Sequence, residues 1–82
     1  MTQRSMSIRS ARDLGAAIAE ARQLRGLTQE ELSEATRVDR TYLARIETGR
    51  SVILLDRIFR LLRRLGVEVT VTLPEGRADG RD

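Results

Sequence analysis

At 82 residues the chain has room for one small domain, of a size that buries only about 60–65% of its unfolded surface and often gains stability by oligomerising. It contains no cysteine and no histidine, which excludes a disulfide framework and a thiolate metal site and removes the commonest general base and zinc ligand. The formal net charge is +3, and all 15 basic residues are arginine, a side chain whose planar fork suits phosphates and guanine edges.

Residues 1–9 read as a polar N-terminal arm, in which Met6 and Ile8 alternate with Ser7 and Arg9 and can extend as a short strand. Ser10 and Asp13 have the spacing of a capping box. A helix is predicted over 11–25, with Leu14, Ala17, Ile18, Ala21 and Leu24 on one face and Gly26 as its stop. The next start is better specified. Thr28 and Glu31 form a second capping box, and Leu27 before the cap with Leu32 beyond it matches a hydrophobic staple. This helix runs to about Thr36 and is expected to bury Leu32 and Ala35.

After the connection Arg37-Val38-Asp39, Asp39 can cap a third helix from Arg40 to about Thr48, ended by Gly49. Leu43 and Ile46 are its apolar positions, and its other face is polar and basic. A fourth helix fits about 55–65, with Leu55, Ile58, Phe59, Leu62 and Leu65 inward and Arg57, Arg60, Arg63 and Arg64 outward, closed by Gly66. The period then changes to two. Val67, Val69, Val71 and Leu73 alternate with Glu68, Thr70 and Thr72 until Pro74, the pattern of a strand. Residues 75–82 read as a disordered tail. The division expected is therefore an arm (1–9), a helical domain (10–66), a separate strand (67–74) and the tail (75–82).

A coding bias also produces a lysine-free chain, so where the arginines fall says more than their kind. Residues 37–50 carry Arg37, Arg40, Arg45 and Arg50 against Asp39 and Glu47, and residues 51–66 carry four arginines against Asp56. Residues 28–36 and the stretch from 67 onward are net acidic. Grouped positive charge is the footprint expected of a nucleic-acid binder. The longest wholly apolar run, Val52-Ile53-Leu54-Leu55, is far too short for a membrane span. Gly15 and Glu20 break up the stretch after Arg4, Arg9 and Arg12 before it can serve as a signal peptide. A soluble, cytoplasmic, nucleoid-associated protein with no membrane partner is expected.

Two short helices joined by a three-residue turn, the second with a basic polar face, describe a helix-turn-helix, whose second helix lies in the major groove. The segment Leu27-Thr28-Gln29-Glu30-Glu31-Leu32, then Val38, then Arg40 through Arg50 (RTYLARIETGR) resembles the Xre-type repressor family over roughly residues 14–66. The resemblance implies a mainly α, four- to five-helix repressor-like domain. It also implies that Gln29 contacts a backbone phosphate and buttresses the recognition helix, and that Asp39, Arg40, Thr41 and Ala44 face bases or the sugar-phosphate backbone. Arg45 falls at a base-contacting position one turn on; pairing with Glu47 or a phosphate is its alternative. For Arg40 the alternative is a solvated helix face. Tyr42 is expected to be half-buried with a phosphate-reaching hydroxyl, and Arg50 to clamp a phosphate. Leu32, Val38, Leu43 and Ile46 are read as core, and the fourth helix's arginines as a solvated face.

Two positions depart from the family. Arg37 stands where relatives have glycine in the turn, and a left-handed backbone there would cost on the order of 1 kcal/mol unless the geometry relaxes; Arg37 can also reach a phosphate. Leu54 stands where relatives place a serine or threonine cap. The order of helix-turn-helix, Leu-Leu-Arg-Arg-Leu-Gly and one alternating strand is also similar to HipB-like antitoxins, which implies a homodimer on double-stranded operator DNA that binds a HipA-like kinase toxin. A stand-alone regulator (phage or restriction-modification controller) and a protein-interaction module are the competing readings. An enzyme finds no constellation among twelve scattered carboxylates, and no cofactor is expected.

The strand carries the dimer expectation. It leaves backbone donors and acceptors unpaired, and the Met6–Arg9 segment can fill only one edge. Val67, Val69, Val71 and Leu73 are thus expected to pair with a second copy across a two-fold axis, over a fourth helix on which Leu61 lies off the main stripe. Such a dimer would set two recognition helices about 34–36 Å apart.

Overall fold

The computed structural model describes residues 3–50 and 53–76. In chain order these form β1 (Ser5–Ile8), α1 (Ala11–Leu24), α2 (Gln29–Thr36), α3 (Arg40–Glu47), α4 (Ile53–Arg64) and β2 (Val69–Thr72). The proposed tail falls largely on residues 77–82, outside the described residues.

Local chemistry sets the helix ends. Ser10 caps α1 by accepting from the Asp13 N–H at 3.1 Å, while the Asp13 carboxylate reaches back one residue further than a capping box requires, to the Arg9 N–H at 2.9 Å. Thr28 and Glu31 close the full reciprocal box on α2, at 3.0 and 2.8 Å. Asp39 caps α3 through the Tyr42 N–H at 3.2 Å. Gly49 follows α3 in the left-handed region, φ 75°, and an added Cβ would stand 2.5 Å from the Arg12 Cα. Only a residue without a side chain allows that approach.

Ile8, Ala17, Phe59 and Leu73 form the buried core, with Met6, Leu14, Ala21, Leu24, Leu55, Leu62, Val69 and Val71 packed around it. Strand β1 therefore belongs to the domain and is no arm, for Ile8 is 2% exposed. It pairs antiparallel with β2 in the register Ser5 with Thr72 through Ile8 with Val69. The Leu73 N–H extends the ladder by donating to the Arg4 carbonyl at 2.8 Å.

That pairing corrects the reason given for a dimer. The Val69, Val71 and Leu73 side chains lie against the chain's own core, so no second copy is required to cover them; Val67 stays exposed. One edge of β2 is filled by β1, and each strand of the two-stranded sheet keeps one edge with no ladder partner among the described residues.

Helix α4 also departs from expectation. Phe59 is buried and Leu55 and Leu62 partly so, but Ile58 and Leu65, expected inward, are exposed. The core formed with the sheet and α1 covers only the side of the apolar arc that carries Leu55, Phe59 and Leu62. Ala35, expected to be buried in α2, is likewise exposed.

Candidate nucleic-acid interface

The position of α3 is fixed from its inner face. Leu43 is buried, Ile46 is partly so, and Glu47, one turn after Leu43, points the same way at 8% exposure. A carboxylate so placed needs partners. Arg22 of α1 supplies two, Nε to Oε2 at 2.7 Å and Nη2 to Oε1 at 3.1 Å, and Gln29 donates Nε2 to Oε1 at 2.8 Å. The third Arg22 arm, Nη1, donates to the Leu27 carbonyl at 2.8 Å, in the loop before α2. One guanidinium thus ties together α1, the α1–α2 connection and the end of α3.

Burial alone pushes the Glu47 carboxyl up. The hydrogen bonds from Arg22 and Gln29, with the Arg22 charge, outweigh that and hold it below the ordinary carboxylate value. The site is therefore ionised and satisfied; no buried side-chain polar atom lacks a partner among the described residues.

Close contact between α1 and α3 requires Gly15. It is buried, and a Cβ there would stand 2.0 Å from the Ile46 carbonyl oxygen. Sequence reasoning gave Gly15 no packing role and passed over the Arg22–Glu47 pair. The available signal was Glu47 at four residues from Leu43, an acid on the apolar face of its own helix.

The turn between α2 and α3 is held by side chains. The Ser33 hydroxyl donates to the Val38 carbonyl at 2.6 Å, and the Val38 N–H donates to Thr36 Oγ1 at 3.3 Å. Arg37 adopts φ 63°, ψ 24°, and is the one non-glycine residue with positive φ among the described residues. The turn thus keeps the left-handed geometry of a glycine despite the substitution, and its N–H still closes α2 on the Ser33 carbonyl at 2.8 Å.

These constraints turn one face of α3 to solvent. Arg40, Thr41 and Arg45 are exposed there, Thr41 and Arg45 one turn apart, with Ala44 half-buried beside them. Arg37 and Asp39 are exposed on the turn, and Arg50 just beyond α3. Arg45 does not pair with Glu47, whose oxygens are taken by Arg22 and Gln29. Tyr42 is 55% exposed rather than half-buried packing. Gln29 is partly buried at the start of α2, its amide engaged with Glu47. Asp39 serves α3 as a cap. Leu32 and Val38 are partly buried.

The exposed face can present guanidinium forks and hydroxyls to phosphates and base edges. Among the described residues no group of three or more His, Cys, Asp or Glu side chains is placed to hold a metal ion. None of the helices described is long and apolar enough to cross a membrane.

No curated protein and no solved structure matches the chain. A family model described as helix-turn-helix matches residues 18–71, well over half of the sequence. With α2 and α3 set about the Arg37–Asp39 turn, the chain belongs to the Xre-type helix-turn-helix family, a family of DNA-binding regulators.

Proposed function

We propose that this DNA-binding regulator is an operator-specific repressor that acts as a homodimer and serves as the antitoxin of a HipBA-like operon, repressing its own genes and neutralising a kinase-type toxin. The observation that carries the operator reading is the solvent face of α3, where Arg40, Thr41 and Arg45 stand exposed on a helix locked from behind by Glu47. Arg40 and Arg45 read base edges. Gln29, Arg37, Tyr42 and Arg50 reach phosphates, and Asp39 and Ala44 border the groove. The antitoxin role is supported by the run of helix-turn-helix, Leu-Leu-Arg-Arg-Leu-Gly and a short strand along residues 28–73.

The dimer forms through the outer edge of β2. Because the Leu73 N–H points to β1, alternation along an antiparallel strand turns the Thr70 and Thr72 N–H groups outward. A second β2 can pair there under two-fold symmetry while Val69 and Val71 stay on the core.

The deciding experiment is binding of Arg40→Ala to operator and random DNA. A loss of about 1–3 kcal/mol on the operator, with relaxed preference at one base pair, is the result for a base reader. Equal loss on both substrates overturns that assignment. Co-expression with the neighbouring gene checks the antitoxin role: a stable complex with a kinase-like product supports it, and a solitary gene or a neighbour that never co-purifies leaves a stand-alone Xre-type regulator. Thr70→Pro checks the interface, since proline removes an outward donor without touching the β1 ladder. An unaltered dimer in that variant rejects β2-edge pairing.

A further inference from the structure

Leu54, Ile58 and Leu61 of α4, with Leu65 in the turn that directly continues it, are exposed to solvent at 71%, 40%, 65% and 73%. Their spacing of four, three and four residues places them in a single narrow stripe, the seam by which one helix receives another. Leu55, Phe59 and Leu62 occupy the adjoining arc and face the core. Arg57, Arg60 and Arg64 line the stripe's other flank, and with Leu61 they border an open hollow. None of these three arginines pairs with an acid among the described residues.

We propose that this surface receives an acidic amphipathic helix of a partner protein. Its apolar side would lie along Leu54, Ile58, Leu61 and Leu65, with its carboxylates on Arg57, Arg60 and Arg64. The charge arrangement selects this occupant over the others. Two copies packed antiparallel along the stripe bring their arginine ridges side by side with no acid between them. Packed parallel, each ridge is driven against the Leu55 and Leu62 side of the other copy, which its own core fills. DNA would satisfy the arginines and leave four apolar side chains without contact. A helix carrying acids on one flank satisfies both halves of the surface.

The surface shares no residue with α3 or with the β2 edge, so it is tested apart from DNA binding and dimerisation. The probe is a fluorescent peptide of roughly 20 residues, long enough to be helical alone, with leucines in heptad spacing and glutamates along one flank. A second peptide replaces each glutamate with lysine. Fluorescence anisotropy with the full chain should show saturable binding of the acidic peptide and binding about tenfold or more weaker for the basic one, as expected for three ion pairs. Leu61→Asp and the triple change Arg57→Ser, Arg60→Ser, Arg64→Ser should each lose the acidic peptide while keeping helicity. Equal binding of the two peptides, or no binding of either, overturns the proposal. Leu61→Asp turning a dimer into a monomer assigns the stripe to a second copy and overturns it as well.

Discussion

Arg22 and Glu47, 25 residues apart, meet at 2.7 Å with side chains 12% and 4% exposed. A charge pair this deep fixes a geometry more than it supplies net stability. Here the fixed quantity is the setting of α3, the helix that carries Arg40 and Arg45.

Arg22→Ala leaves Glu47 buried with Gln29 as its remaining side-chain partner, and Glu47→Ala leaves the guanidinium without a counter-charge, held only by the Leu27 carbonyl. Either should cost about 3–5 kcal/mol in urea unfolding. Arg22→Met with Glu47→Leu should recover most of that stability. The double variant tells structure from function, because a refolded domain that binds DNA poorly would mean that the pair positions α3.

The same carboxylate sets a pH response. Its folded value lies below its unfolded one, so its contribution is complete above an unfolded value of about 4.3 and is lost as the pH falls through the folded value. Urea midpoints should therefore drop in that acidic window. Glu47→Gln should be less stable at neutral pH and show a flatter dependence. A variant as acid-sensitive as the parent would place the response on other carboxylates.

Much of this architecture was legible in the sequence. The helix starts follow from Ser10, Thr28 and Asp39, whose caps act over three residues, and the period-two run from Val67 marks β2. What was not legible is set by distance along the chain. Whether Val69 and Val71 face a second copy or Ile8 depends on where residue 8 comes to lie, and no local pattern records that. Ile58 and Leu65 read as inward because a helix of this pattern has a wide apolar arc, and the sequence does not say how much of the arc its own fold covers.

Arg37→Gly should raise stability by about 1 kcal/mol, because the left-handed backbone at φ 63° suits glycine. Thermal melting and a salt-dependent binding titration should be read together. Higher stability with unchanged affinity leaves the side chain without a DNA role. Higher stability with weaker binding and a shallower salt slope gives it a phosphate.

Gly15→Ala should be among the most damaging single changes, about 3 kcal/mol, since the new methyl group meets the backbone oxygen of Ile46 rather than a side chain able to turn away. Circular dichroism melts check it. If the variant melts like the parent, α1 and α3 are not held as close as the 2.0 Å approach requires.

The pairing of β1 with β2 also bears on synthesis. Ile8 is synthesised some sixty residues before its core neighbour Leu73 and its ladder partner Val69. Without those two residues, Ile8, Ala17 and Phe59 lack part of the cluster that closes the core. A released product terminated within α4 carries Arg40, Thr41 and Arg45 but lacks the strand that completes the core. A stable setting of α3 therefore depends on residues through 73, so that prematurely terminated products should bind DNA poorly.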